Sequence, residues 1–215
     1  MKAEDFYRAI EIQNIKGEVI PTGRELNNQE VTSLMEICAA DPTSVGARDA
    51  AIIALMYSCG LRRSEVIALN LADYDPSNDR LRVMGKRRKE RTAYVLYAAA
   101  QAMQDWLQVR GHWPGALFPS LSKRFGGMNH ERMTSQAIYN MLAKRARQAQ
   151  ITPFTPHDLR RSFASHLLDA RVDITTVSKM MGHSSVLTTA RYDKRGELTK
   201  RKAAELLHVK YECRK

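Results

Sequence analysis

The 215-residue sequence predicts a mostly α-helical (α+β) fold that contains one small antiparallel sheet. Over most of the chain, apolar residues recur at the spacing typical of amphipathic helices. One stretch, residues 73–97, instead combines Pro-Ser-Asn-Asp turn chemistry with β-type runs on both sides of a basic turn. The hydrophobic content of 44% suffices for a buried core, and no apolar run is long enough to predict a transmembrane helix.

Three helices are predicted before the sheet. Residues 1–22 lack clean periodicity and are interpreted as a linker or N-terminal extension. The segment NNQEVTSLMEICAA (27–40) has the pattern of a capped amphipathic helix. It is followed by a strongly apolar helix, GARDAAIIALMYSCG (46–60), and by a short helix in LRRSEVIALN (61–70).

After the sheet the pattern is helical again. Periodicity predicts helices at about 98–110, 134–149, 156–168, 173–181, 185–192 and 197–208. The glycine-rich stretch GGMNHERMTS (126–135) is predicted to be a loop. Residues 23–195 are therefore expected to form one domain, and residues 196–215 a basic tail helix.

The charge balance indicates an anionic partner. The chain has 34 Lys and Arg against 23 Asp and Glu, a formal net charge of +11, and nucleic acid is the commonest large anionic partner. The segment RVMGKRRKER (82–91) carries six basic residues and one acidic residue, and residues 194–215 carry eight and three. The three cysteines form no CxxC pair, which predicts neither a zinc site nor a disulfide framework. No signal-peptide core is visible, so we expect a cytoplasmic protein.

The segment TPHDLRRSFASHLL (155–168) places an arginine on the apolar face of its helix. On a helical wheel Arg160 lies inside the apolar arc, His157 near its edge and Arg161 just outside it. A buried guanidinium is costly unless an anion meets it. That anion is either an internal carboxylate or a group that arrives with the substrate, and the sequence leaves both open. Arg161 is predicted to contact a backbone phosphate or solvent.

A second segment, GLRRSEVIAL, repeats this arrangement. Arg62 lies within the apolar arc and Arg63 on a wetter side, while Glu65 is spaced to pair with Arg62. Two inward guanidinium groups could together clamp one phosphate diester. Further along, MGHSSVLTTARYD contributes His183 and Tyr192, each of which would by itself be an ordinary packed or capping residue.

These segments, in this order, resemble the motifs of the tyrosine recombinases (phage integrase family). The motifs are Gly-Leu-Arg-x-x-Glu, Gly-Lys-x-x-Lys-Glu-Arg, His-x-x-Arg, Gly-His-Ser-Ser and Thr-Thr-x-x-Tyr. The resemblance covers the chain from about Leu26 to Asp193. It departs from the family pattern at Arg87, where glycine is frequent. The resemblance implies the tyrosine-recombinase catalytic fold.

The resemblance also implies a role for each matching residue. Tyr192 would be the nucleophile that attacks the scissile phosphate. Arg62 and Arg160 would bind the non-bridging oxygens and stabilise the charged transition state. Lys86, which by composition alone is a solvated charge in a basic turn, would protonate the leaving 5′ hydroxyl.

The remaining implied roles concern two histidines, a supporting carboxylate and DNA contacts. His157 would act as general base or acid, His183 would hydrogen-bond the phosphate, and Glu65 would support Arg62. The basic side chains expected to contact DNA are Arg87, Arg88, Lys89, Arg91 and Arg161. We expect no cofactor and no metal, because a phosphotyrosyl linkage retains the bond energy of the phosphodiester and cationic side chains supply the positive charge.

The implied function is that of a site-specific recombinase or integrase. It would cleave and rejoin double-stranded DNA through a 3′-phosphotyrosyl intermediate, as a homotetramer on nucleoid DNA whose tail helices are exchanged between protomers, with accessory DNA-bending proteins as compatible partners. The family usually carries an N-terminal helical DNA-binding domain that is not visible here. We expect either a catalytic domain separated from that domain or a minimal member, with weak, salt-sensitive DNA binding.

Three alternatives are left open by the sequence. A type IB topoisomerase uses closely similar chemistry on one duplex. A helix-turn-helix regulator could be built from residues 158–181, although its second helix offers only Lys179 and hydroxyl groups to read base edges. A catalytically inactive relative is disfavoured, because every expected catalytic position is filled.

Overall fold

Helices and two small antiparallel sheets make up the part of the chain that the structure, a computed structural model, describes. The described residues are 23–85, 89–122, 127–193, 196, 201 and 204–206, with only the backbone described at residues 122 and 127–130. The predicted linker at 1–22 and most of the predicted tail helix lie outside these ranges.

The elements follow one another with short connections. The helices are α1 (Asn28–Ala39), α2 (Ser44–Ser58), α3 (Arg63–Ala68), α4 (Ala98–Arg110), α5 (Ser135–Gln148), α6 (Pro156–Asp169), α7 (Ile174–Met181) and α8 (Val186–Ala190). The strands are β1 (Tyr74–Asp75), β2 (Arg80–Met84), β3 (Glu90–Tyr94), β4 (Pro119–Ser122) and β5 (Gly127–Arg132).

Local capping determines where the predicted helices begin. At α1 the Asn27 side chain accepts from the Glu30 amide and the Glu30 carboxylate accepts from the Asn27 amide, both at 2.9 Å. At α6 the amide and hydroxyl of Thr155 both donate to the Asp158 carboxylate at 2.8 Å, and Pro156 occupies the first turn. Both predicted starts are confirmed.

The two sheets agree only in part with the prediction. The three strands of the first sheet run in the order β1-β2-β3, and the β2–β3 pairing spans the predicted basic turn. The prediction of a loop at 126–135 was wrong, because residues 127–132 form β5 and pair with β4 in a second sheet. The predicted helix at 185–192 is shorter and ends at Ala190.

Helix α6 connects two apolar clusters. The main core gathers side chains from α1 to α5 and includes Leu159 at the start of α6. A smaller cluster includes Phe163, Val177 and Tyr192 and joins α6 to α7 and to the residues after α8. Arg160 lies on α6 where the two clusters meet, directly after Leu159 and one turn before Phe163, so that the fold fixes its backbone from both sides.

Candidate active site

Four segments bring the predicted site residues together. Arg62 precedes α3, His157 and Arg160 lie in the first turns of α6, His183 follows α7, and Tyr192 follows α8. A surface cleft of about 390 Å³ opens over part of this group. Its lining residues are Arg62, Arg63, Ser64, Tyr139, Thr155, Pro156, His157 and Arg160.

Arg160 is buried at the base of the cleft, as the helical wheel predicted. Its side chain is 2% exposed and donates to the carbonyl oxygens of Gly60 and Met181. The nearest carboxylate oxygen, on Glu65, is 3.9 Å away. Burial and the charge of Arg62 lower the pKa of Arg160 to about 9, which still leaves the group charged at neutral pH. An incoming anion would relieve this unfavourable environment.

Two glycines allow the backbone to reach Arg160. Gly60 has a φ of 59°, and a Cβ there would lie 2.6 Å from the Phe163 ring. Gly182 ends α7 in the left-handed conformation, with φ 62° and ψ 41°. Because only glycine fits these positions without strain, the two turns hold the Gly60 and Met181 carbonyls against the guanidinium group.

Arg62 is held by the predicted partner. Its guanidinium donates to Glu65 Oε1 at 2.8 Å, and its backbone amide donates to Glu65 Oε2 at 2.9 Å. The Arg62 side chain is 39% exposed, so the prediction that it points into the core was wrong. The reason is its place at the N-terminal cap of α3, where the side chain turns into the cleft instead of following the apolar face.

Tyr192 lies between the two histidines, behind the cleft. Its side chain is 6% exposed, and its hydroxyl is 3.2 Å from His157 Nε2. The ring centroids of His157 and His183 lie 6.3 Å and 6.4 Å from that of Tyr192. Tyr192 is not among the cleft-lining residues, but its hydroxyl contacts His157, which lines the cleft.

Both histidines favour their neutral form. Burial and the charges of Arg161 and Arg160 lower the pKa of His157. Burial and the charges of Arg160 and Arg62 lower the pKa of His183 to about 4. His183 Nδ1 is 2.8 Å from the Thr189 hydroxyl, and Thr189 is fully buried. If this hydroxyl donates to Nδ1, the ring proton lies on Nε2 and can be donated to an anion.

The predicted exposed position of Arg161 was wrong. Its side chain is only 5% exposed, and its Cζ lies 5.7 Å from the centroid of the Tyr192 ring. Residues 23–26 cover this side of α6: the Arg24 amide donates to Asp158 and the Leu26 amide donates to Ser162. A helical wheel assumes one buried face, whereas α6 is covered on two.

The basic turn was predicted to supply Lys86 and several DNA contacts. Lys86, Arg87 and Arg88 lie outside the described residues, and Lys89 is exposed. Arg91 is 11% exposed and pairs with Glu65 at 2.7 Å, so it is not the freely exposed side chain that a basic turn suggests, and its contact with DNA stays a prediction. A run of basic residues gave no signal of this internal contact.

Other side chains at the site escaped the sequence reasoning. Tyr139 on α5 lines the cleft and is 41% exposed, but an isolated tyrosine in a helix carries no specific signal. Within the described ranges, no group of three or more His, Cys, Asp or Glu side chains is placed to hold a metal ion. The helices of the described part also include none long and apolar enough to span a bilayer.

Comparison with known proteins identifies relatives over most of the chain. The model of the phage integrase family matches residues 24–197. A tyrosine recombinase XerC of Chromohalobacter salexigens is 39% identical over 153 residues, which cover 71% of this chain and 50% of the relative. A XerC of Actinobacillus succinogenes is 36% identical over 181 residues, covering 82% and 58%. The chain thus spans about half the length of the curated relatives it matches.

Solved structures share the fold. The XerH site-specific recombinase bound to its difH substrate before cleavage aligns with a TM-score of 0.71 and 25% identity, covering 91% of this chain and 56% of that one. The XerA recombinase aligns with a TM-score of 0.69 and 24% identity, covering 97% and 73%. These alignments agree with the predicted catalytic fold.

Proposed function

The chain belongs to the phage integrase family, and from this we propose that it cleaves and rejoins DNA strands site-specifically through a 3′-phosphotyrosyl intermediate. The observation that carries the proposal is that Arg62, His157 and Arg160 line one cleft and that the Tyr192 hydroxyl is hydrogen-bonded to His157. The cleft offers two guanidinium groups to an anion and has a tyrosine hydroxyl hydrogen-bonded to a neutral imidazole behind it.

The reaction that we propose begins with attack by the Tyr192 hydroxyl oxygen on the scissile phosphorus. His157 accepts the hydroxyl proton, which suits its lowered pKa and its 3.2 Å contact with the tyrosine oxygen. A phosphorus–oxygen bond to tyrosine forms as the bond to the 5′ oxygen breaks. Lys86 protonates that oxygen, so that a free 5′ hydroxyl leaves. Attack by a 5′ hydroxyl of a partner strand reverses these steps.

The developing negative charge is stabilised by the two arginines and by His183. Arg160 is preorganised, because two backbone carbonyls and two apolar clusters fix it before DNA arrives. Arg62 is fixed through Glu65. Fixed donors aimed at a charge that appears only in the transition state are an effective means of electrostatic catalysis.

The partners that we propose are double-stranded DNA and further copies of this chain. Strand exchange needs two cleaved duplexes, and a tetramer joined by the 196–215 tails would hold them. We also propose the DNA-containing compartment of the cell, at the nucleoid, as its location. Removing residues 196–215 should abolish DNA-bound oligomers and leave cleavage of a single duplex in place; unchanged assembly would contradict the role of the tail.

A covalent-adduct assay tests the proposed chemistry. The chain is incubated at low salt with a library of nicked duplexes of randomised sequence, and adducts that survive SDS are isolated and their DNA is sequenced. We expect adducts at a shared sequence that are absent with Tyr192→Phe. Adducts that persist in Tyr192→Phe, or no adduct with any duplex, would contradict the proposal.

A second arm of the assay separates recombination from DNA relaxation. Two labelled duplexes carrying the selected sequence are mixed, and exchanged strands are scored. Recombination predicts hybrid products, whereas relaxation of supercoiled DNA without hybrids would assign the type IB topoisomerase activity instead.

A further inference from the structure

Arg91 uses its whole guanidinium group inside the protein. Its Nη1 and Nη2 donate to the two carboxylate oxygens of Glu65 at 3.0 Å and 2.7 Å. Its Nε donates to the Met180 carbonyl at 3.0 Å. Arg91 on β3 therefore ties α3 to the end of α7, two elements that are far apart in the sequence.

The Glu65 carboxylate passes this constraint on to Arg62. The same two oxygens that accept from Arg91 also accept from the side chain and the backbone amide of Arg62. Glu65 is 5% exposed, so its orientation is set by these bonds and not by water. The long Arg62 side chain, in contrast, is 39% exposed and has many accessible rotamers unless its partner is fixed.

Arg91 also supports the turn that carries His183. A Cβ on Gly182 would lie 3.1 Å from Arg91 Nη1 and 3.2 Å from its Cδ. The Arg91 side chain thus packs directly beneath Gly182, next to His183. Arg91 thus contacts the supports of both Arg62 and His183, two groups that face the proposed phosphate.

We propose that Arg91 is a positioning residue that fixes Glu65, and through it Arg62, in the orientation that receives the scissile phosphate. This inference rests on the proposed function of the site. In this role Arg91 acts through Glu65 and not on the scissile phosphate itself. A simple structural ion pair would stabilise the fold without regard to the charge of the substrate, whereas a residue that positions Arg62 matters most when the scissile group is anionic.

The same sheet provides a matched control. Arg82 on β2 also forms an ion pair in which two of its nitrogens donate to one carboxylate, that of Asp73, at 3.0 Å and 2.8 Å. Its side chain is 54% exposed, and its partner Asp73 does not line the cleft. Removing Arg82 therefore tests the loss of an arginine–carboxylate pair from this sheet without touching Glu65.

The test compares two scissile groups in single-turnover cleavage by the full chain. One nicked duplex carries a normal phosphate and the other a methylphosphonate, in which a methyl group replaces one charged oxygen. Arg91→Ala should slow phosphate cleavage by roughly 100-fold, because a small misplacement of a substrate-binding group is this costly. The loss on methylphosphonate should be no more than about tenfold, since less charge develops there.

Two further variants complete the comparison. Arg91→Lys should recover only part of the phosphate rate, because one ammonium group cannot bond both Glu65 oxygens and the Met180 carbonyl. Arg82→Ala should cleave both substrates like wild type. Equal losses on the two substrates, or an equal loss in Arg82→Ala, would overturn the positioning role and leave the proposed function standing.

Binding of inorganic phosphate to the DNA-free protein gives a readout that needs no chemistry. Measured by phosphorus NMR, the affinity should fall about tenfold in Arg91→Ala and be unchanged in Arg82→Ala. If wild type formed no covalent adduct, the proposed function would fail, and this titration would still decide the role of Arg91. Equal phosphate affinity in wild type and Arg91→Ala would overturn that role.

Discussion

Two fully buried arginines show opposite kinds of environment. Arg145 on α5 is 0% exposed and pairs with Asp49 at 2.9 Å and Asp41 at 2.7 Å. Although burial alone would lower the pKa of Arg145, its bond to Asp41 and the charge of Asp49 raise it. Arg160 bonds to two carbonyl oxygens instead, and its pKa is lowered to about 9. The charge of Arg145 is balanced by two carboxylates of the protein, whereas the charge of Arg160 is left for a ligand to balance.

Burial of an arginine against backbone carbonyl oxygens does not by itself identify a ligand site. Arg110 is 1% exposed and donates to the carbonyl oxygens of Ala116, Gly111 and Trp113. Its guanidinium carbon also lies 4.0 Å from the centroid of the Trp113 ring, which covers it. Arg160 differs because Arg62 lies in the same open cleft. Clustered positive charge at an opening, and not burial alone, indicates an anion site.

The largest effect that we predict is on cleavage by Arg160→Ala. Removing a preorganised donor to the transition state should slow single-turnover cleavage by about 1,000-fold while DNA affinity changes little. Arg63→Ala is the control, because Arg63 is an exposed residue of the same cleft whose loss should mainly weaken DNA binding. If the cleavage rate of Arg160→Ala were within tenfold of wild type, Arg160 would not act on the phosphate. The functional distinction between Arg160 and Arg145 would then be lost.

A smaller effect is expected for Arg161→Ala. Arg161 packs against the Tyr192 ring, so its loss should loosen the position of the tyrosine and slow cleavage roughly tenfold at saturating DNA. Single-turnover rates and DNA affinity, measured together, check this. Weakened affinity with an unchanged saturated rate would return Arg161 to the DNA-contact role that the sequence suggested.

The smallest effect concerns acid stability. The pKa of His183 is about 4 in the folded protein and near 6.5 when unfolded, so the unfolded chain binds the proton first. Its contribution to stability is present above pH 6.5 and is lost as the pH falls toward 4. His183→Asn should therefore lose less stability over this interval than wild type, by under about 1 kcal/mol because the group is partly solvated. Urea unfolding of both proteins at pH 6.5 and at pH 4 measures this difference. Equal losses of stability in His183→Asn and wild type would count against the shifted pKa of His183.

Local interactions explain why much of the fold was predictable. The capping boxes of Asn27 with Glu30 and of Thr155 with Asp158 span four residues each and are visible in the sequence. The apolar face of α6 also predicted that Arg160 is buried. The strand at 127–132 was missed, because it lacks an alternating apolar pattern and exists through its pairing with β4.

The site was predictable where one helix determines the environment and not where distant segments meet. Arg161 is covered by residues 23–26, more than 100 positions away in sequence, which no periodicity reveals. Arg91 lies in a basic run typical of DNA contacts, yet its partner Glu65 is 26 positions away. The contact between Tyr192 and His157 likewise depends on how α6 and α8 pack.

The most direct test of the difference between the two buried arginines is urea unfolding of Arg145→Met and Arg160→Met without DNA. Arg145→Met should lower the free energy of unfolding by about 3 kcal/mol, because the buried Asp49 carboxylate loses one of its two arginine partners and keeps only Arg48, at 2.8 Å. Arg160→Met should stay within about 1 kcal/mol of wild type, since losing two carbonyl bonds is offset by removing a costly buried charge. A loss in Arg160→Met as large as that in Arg145→Met would contradict the account, because Arg160 would then serve the fold and not the phosphate.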